Sequence, residues 1–321
     1  MGGTRTLAMD AWLPVPVHGA GNPREGADPC GRAVPLRAGG RDRPAGGRPR
    51  PTPLARASLR LVRRAGREAL DLLLPPACLA CTARVDAHGG LCPRCWSTVR
   101  WVERPFCEIT GAPMAVDLGP GMLSPAAIAA PPPYERARSA AMFDETARGL
   151  VHRLKYRDET GLARWMARWM VRPAAELAAD CDALVPVPLH ARRTMARKFN
   201  QSAELTRALA PLLDLPHRPE WLVRSRPTRR QVGLGHAARR RNVQGAFGTP
   251  DAQRPALKGA RVLLVDDVLT TGATAAAASR ALLRGGARAV DVLTFARVAD
   301  GDDGTALAEA VAALTIEGTG A

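Results

Sequence analysis

Val262-Leu263-Leu264-Val265-Asp266-Asp267-Val268-Leu269-Thr270-Thr271-Gly272-Ala273-Thr274 decides the reading of this chain. Four consecutive apolar residues, Val262 to Val265, read as a strand buried on both faces, and the Ala-rich segment from Thr274 onward reads as a helix. The loop between them then lies at the carboxyl end of a sheet, where open α/β folds bind ligands. Thr270, Thr271, Gly272, Ala273 and Thr274 stand where the helix begins, so their backbone N–H groups and threonine hydroxyls form a cradle for phosphate. Gly272 lets the backbone approach closely. Asp266 and Asp267 would repel a phosphate and must face another part of the ligand. Carboxylates there suit ribose hydroxyls, met directly or through a hydrated Mg²⁺. A turn with a helix N-cap would explain one Thr or Asp, but not the whole run.

Outward from this stretch, short apolar runs alternate with helical ones: Ala183 to Val187, Ser202 to Leu213, Arg261 to Val265, Ala275 to Leu283 and Ala289 to Thr294. Such alternation predicts an α/β fold with a parallel sheet flanked by helices. Upstream, Ala137 to Phe143 is strand-like or helical, and helices are expected at Ala147 to Tyr156 and Leu162 to Leu177. Trp165, Met166, Trp169 and Met170 fall at helical spacing and read as core. No internal repeat is apparent. The expected organisation is an Arg/Gly/Pro-rich disordered extension at 1–56, a helix and cysteine-bearing region at 57–133, the α/β domain at 134–298, and a tail at 299–321.

With 321 residues, 46% of them hydrophobic, the chain is long enough for a real core. Its formal net charge of +16 comes mostly from arginine, which pairs with phosphate through a planar fork. A polyanionic partner accounts for that charge, and so does a biased composition, since net charge reports on association rather than fold. No apolar run approaches the roughly 20 residues of a membrane span. Met1 to Pro16 lacks a signal-peptide pattern, and a cytoplasmic location is expected. The segment holding Arg226, Arg229, Arg230, Gln231, Arg239, Arg240 and Arg241 is densely cationic and poor in apolar anchors. Such a segment could track a single strand of nucleic acid.

Four of the seven cysteines form two pairs, Cys78 with Cys81 and Cys92 with Cys95, with ten residues between the pairs. Four thiolates at this spacing close a tetrahedral site on one structural Zn²⁺. A redox dithiol would need only one pair. Cys30 falls in the extension, and Cys181 is expected to pack beside a strand as a small hydrophobe.

Val262 to Thr274 resembles the phosphoribosyl pyrophosphate motif of type I phosphoribosyltransferases. Val185-Pro186-Val187-Pro188-Leu189-His190, followed by Arg197-Lys198-Phe199-Asn200-Gln201, resembles the ComF (competence protein F) family, and the likeness spans about Leu73 to Val298. The resemblance implies a type I phosphoribosyltransferase fold behind a small zinc ribbon. It implies a pyrophosphate loop from Pro186 to His190, with Pro186, Val187 and Pro188 at the ligand and Arg192, Arg193 and Arg197 neutralising charge, Lys155-Tyr156 near the ligand, and the cationic segment from Arg226 to Arg241 as a lid that closes over it. Relatives carry a second set of cysteine pairs. Here Cys107 stands alone for it, with Ser124 and Ala127 where the last pair would fall, so one zinc is expected. By the same resemblance the ligand is phosphoribosyl pyrophosphate or a related ribose phosphate with Mg²⁺. The implied role is DNA uptake in natural transformation, with single-stranded DNA and DNA-uptake proteins as partners. Transfer of the ribose phosphate to an acceptor, and ligand sensing without chemistry, are the alternative activities.

Overall fold

The computed structural model describes residues 75–117, 119–156, 159–189, 199–225 and 245–299. Contacts divide the chain into units Met1–Pro75 and Pro76–Ala321, and apart from Pro75 all described residues belong to the second. The expected extension, the helix before Pro75, nearly all of the tail, and the basic segment from Arg226 to Arg241 lie outside the described residues.

In chain order the elements are α1 (Pro93–Thr98), α2 (Pro125–Ala129), β1 (Ala137–Met142), α3 (Glu145–Tyr156), α4 (Gly161–Ala178), β2 (Ala183–Pro186), α5 (Gln201–Leu213), β3 (Val223–Arg224), β4 (Phe247–Gly248), α6 (Arg254–Leu257), β5 (Arg261–Leu269), α7 (Ala273–Gly285) and β6 (Ala289–Arg297). Four strands form a parallel sheet in the order β1-β6-β5-β2. The alternation read from sequence is thus an α/β fold, and Ala137 to Met142 is a strand rather than a helix.

Both faces of β5 are covered, which is why its sequence shows no polar alternation. Leu263 and Val265 join a core with Leu293, Phe295, Met166 and Met170, while Val262 and Leu264 join a second with Val290, Val292 and the alanines of α7. Each fully buried aliphatic side chain there contributes about 1.5–3 kcal/mol. The strand runs past the expected loop boundary. Pairing with β6 continues through Val268–Ala296 and Leu269–Arg297, so Asp266 and Asp267 stand on the strand and the connecting loop shrinks to Thr270–Gly272.

Ahead of the sheet lie two ribbons of one design, the second at the place where the resemblance leaves Cys107, Ser124 and Ala127. In the first, Cys78 N donates to Ala83 O, Thr82 N to Cys78 O, Leu79 N to Gly90 O and Val85 N to Pro76 O. In the second, Cys107 N donates to Ala112 O, Gly111 N to Cys107 O, Glu108 N to Met122 O and Met114 N to Pro105 O. The turn residues Thr82 and Gly111 both take the left-handed conformation, at φ 63 and 66. Each ribbon ends in a short helix with proline in its first turn, α1 capped by Cys92 and α2 by Ser124.

The first ribbon seats on the α/β core. Trp96, Trp101, Trp169 and Phe295 form a chain of ring contacts with centroid spacings of 4.8 to 6.5 Å. Trp165 lies against Gly89, where a Cβ would fall 2.0 Å from the indole. Tryptophan and methionine on α4 therefore serve packing, as their helical spacing predicts.

Candidate functional site

At the carboxyl end of β5 a cleft of about 170 Å³ is lined by Lys155, Asp266, Asp267, Val268, Leu269, Thr270, Gly272, Thr274, Ala275 and Thr294. Parallel strands followed by helices put this edge beside the amino end of α7, where the first N–H groups lack intrahelical partners. Gly272 is the N-cap residue, at φ 70 with no side-chain cap, so those N–H groups are not covered by a capping side chain. A Cβ at Gly272 would meet only Tyr134 Oη at 3.5 Å, so it is the positive φ rather than crowding that favours glycine. Thr271 Oγ1 is buried with no hydrogen-bond partner among the described residues. Ala273 is the buried first residue of α7.

The two acids are held differently. Asp266 Oδ1 accepts from Ser202 Oγ at 2.8 Å and from the Asp267 N–H at 2.9 Å. Asp267 Oδ2 pairs with Lys155 Nζ at 2.8 Å. Burial, and then the neighbouring Asp267 charge, push the Asp266 carboxyl up to about 7, against the pull of Ser202, the Asp267 N–H and Lys155. A carboxyl raised this way stabilises the fold below its unfolded value of about 3.9 and loses that contribution as pH rises toward 7. Asp266→Asn keeps both accepted hydrogen bonds and removes the unfavourable charge. Its melting temperature should exceed wild type by about 2–4 °C at pH 8, on the order of 1 kcal/mol, with the gain vanishing near pH 4. Thermal melts across that range check the sign.

On the neighbouring strand, Pro186 ends β2, followed by Val187 and Pro188. Val187 is tied down from two sides: its N–H donates to Val265 O at 2.9 Å, and its carbonyl accepts from Asn200 Nδ2 at 3.0 Å. Asn200 also caps α5 through the Ser202 N–H. Pro186, Val187 and Pro188 stand at and just after the end of the strand next to β5 but do not line the cleft. Arg197, with His190, Arg192 and Arg193, lies outside the described residues, as do Arg226, Arg229, Arg230, Gln231, Arg239, Arg240 and Arg241.

Sequence reading missed Ser202 and Thr294. Thr294 pairs in register with Asp266 and shares a 2.7 Å hydroxyl contact with Ser139. Only the folded register puts either residue beside the acids, and no local motif marks them.

The cysteines meet as expected. The Sγ atoms of Cys78, Cys81, Cys92 and Cys95 all lie within 4.8 Å of one another, with Cys81 and Cys92 at 3.6 Å. Burial opposes a thiolate at Cys78, yet the backbone N–H groups of Cys81, Cys92 and Ala80 bring it down to about 6. Four soft donors converging on one point fit tetrahedral Zn²⁺, and they close the coordination shell, so the ion would supply structure rather than chemistry. Cys181 packs in the core as expected, with its thiol 3.8 Å from Asp291. Next to that carboxylate, burial pushes the thiol up to about 12.

Residues 69–126 match the family described as double zinc ribbon domain. The chain is 32% identical over 232 residues to DNA utilization protein YhgH of Salmonella typhimurium, a match covering 70% of this chain and 99% of that one. It is 30% identical over the same coverage to DNA utilization protein YhgH of Escherichia coli K12. Against competence protein F of Haemophilus influenzae it is 28% identical over 230 residues, 68% of this chain and 96% of that one. Among solved structures it is similar to the glutamine phosphoribosylpyrophosphate amidotransferase of B. subtilis complexed with ADP and GMP. That likeness has 22% identity and a TM-score of 0.28, over 45% of this chain and 26% of the other.

Proposed function

The chain belongs to the family of DNA utilization protein YhgH and competence protein F, and from that membership we propose that it serves DNA utilization by binding a ribose phosphate of the phosphoribosyl pyrophosphate class. The observation that carries this reading is the cleft at the end of β5, where an acid pair and a bare helix amino end face one small space. The N–H groups of α7 and the hydroxyls of Thr270 and Thr274, which line the cleft, suit a phosphate, with the Thr271 hydroxyl buried behind them. Asp266 and Asp267 suit the ribose hydroxyls. Mg²⁺ carried in with the ligand would be held by the same carboxylates and would offset charge that the half-buried Asp266, beside Asp267, bears poorly. Pro186, Val187 and Pro188, fixed by Asn200, would receive the pyrophosphate, helped by Arg197. Arg226, Arg229, Arg230, Gln231, Arg239, Arg240 and Arg241 would cover the ligand or track single-stranded DNA.

Calorimetric titration of the full chain with phosphoribosyl pyrophosphate and Mg²⁺ tests the site. Removing two carboxylates that hydrogen-bond a ligand costs about 1.5–3 kcal/mol each. Asp266→Ala/Asp267→Ala should therefore weaken binding by about 100-fold or more. Equal affinity in both proteins would overturn the assignment. Pyrophosphate release on adding nucleobases or amines would extend the reading to a transferase.

A further inference from the structure

We propose that residues 105–130 form a zinc ribbon built without its metal, so that the chain carries one zinc on an architecture with places for two. The family description calls for a double zinc ribbon over 69–126. The backbone obliges, and the side chains do not.

Superposed hydrogen bond by hydrogen bond, the four ligand positions of the first ribbon correspond to Cys107, Thr110, Ser124 and Ala127 in the second. Around the first sulfur, Cys78 Sγ accepts from Ala80 N at 3.4 Å and Cys92 N at 3.2 Å. Around its counterpart, Cys107 Sγ accepts from Thr110 N, one position later in the turn than Ala80, at 3.5 Å, and from Ser124 N, the equivalent of Cys92 N, at 3.2 Å. Cys92 Sγ accepts from Cys95 N at 3.5 Å, and Ser124 Oγ accepts from Ala127 N at 3.3 Å. The cradle that orients thiolates toward zinc is therefore intact, while only one soft donor remains in it. One thiol, two hydroxyls and a methyl cannot close a zinc site.

Other forces hold the second ribbon together. Cys107, Ala112 and Ala127 are buried together, packed by Ile109 and Met114. The knuckle is also fastened to the sheet. Ala137 N donates to Ile109 O at 2.7 Å, Arg138 Nη1 to Glu108 O at 2.8 Å and Arg297 Nη1 to Thr110 O at 2.6 Å. Gly111 sits so close that a Cβ would fall 2.3 Å from Ala137 O. Docking on β1 and β6 thus supplies the order that metal supplies in the first ribbon.

Zinc analysis of the full chain, with cobalt substitution to report tetrahedral thiolate ligation, tests the proposal. Wild type and Cys107→Ala should each hold about one equivalent with the same cobalt spectrum. Thr110→Cys/Ser124→Cys/Ala127→Cys should hold about two. Two equivalents in wild type, a loss of metal in Cys107→Ala, or a single equivalent in a folded triple variant would each overturn it. Should the triple variant fail to fold, the first two proteins decide.

Discussion

Replacing Cys92 with serine should strip the chain of its zinc and lower its melting temperature by about 10 °C or more, equivalent to at least ~3 kcal/mol. Cys92 does three things at once. It supplies one of four sulfurs, its thiol caps α1, and its backbone N–H fixes Cys78 Sγ. Serine can still cap the helix, so the loss isolates the ligand's part. A structural zinc in a small domain contributes about 10–16 kcal/mol of apparent binding energy at neutral pH, most of which becomes folding energy. Only part of it should appear in the melt, because the α/β core has its own support. The effect spreads nonetheless: Cys78, Leu91, Cys92 and Val99 are members of the same buried cluster as Met166, Leu177 and Phe295. Metal analysis and thermal melts of wild type, Cys92→Ser and chelator-treated wild type check it. Unchanged zinc content in Cys92→Ser would exclude this residue as a ligand.

How much of this was legible beforehand depends on whether the physics is local. The cysteine site is local: two pairs at ligand spacing, one on a tight turn and one at the start of a helix, bring four sulfurs together. The run from Val262 to Thr274 is nearly so, because buried strand, acids, threonines, glycine and alanine helix follow in the order that an α/β ligand edge requires. Its error is instructive. Placing Asp266 in a loop ignored the ladder with β6, and pairing partners across a sheet are set by tertiary register rather than by neighbouring residues. Ser202 and Thr294 escaped for the same reason. The second ribbon is legible only through the resemblance, which marks Cys107, Ser124 and Ala127 as its remnants. What recurs between the ribbons is a backbone hydrogen-bond pattern, and Cys107, the helix proline and a left-handed turn residue are nearly all that it leaves in the sequence. Asp291 gave no warning either, since a lone acid in a short apolar segment reads as an interruption and not as a core residue.

That acid carries the second large expectation. Asp291 on β6 is fully buried and takes a guanidinium on each side: Arg136 at 2.8 and 3.2 Å, Arg261 at 2.9 and 3.3 Å. Burial opposes its ionisation, but those hydrogen bonds and charges win and hold its carboxyl below the usual range. Asp291→Ala leaves two arginines converging on an uncompensated pocket. Breaking a buried charge pair from one side costs about 3–5 kcal/mol, so the melting temperature should fall by about 10 °C at pH 7. Asp180 and Glu135, the exposed second partners of these arginines, would recover little of it. The sign with pH follows from the lowered value. The stabilisation is present above the unfolded carboxyl's value of about 3.9 and is lost as pH falls through the lower folded one. Wild type and Asp291→Asn should therefore differ most at neutral pH and converge well below pH 4. Leu263 is the register partner of Asp291, whereas Thr294 is that of Asp266, so the network sits toward the amino ends of the strands, away from the cleft. Given the proposed function, Asp291→Ala below its melting transition should match wild type in any affinity for phosphoribosyl pyrophosphate. Weakened affinity in the folded variant would mean that the strand ends carrying Asp266 and Asp267 are not positioned independently of this network.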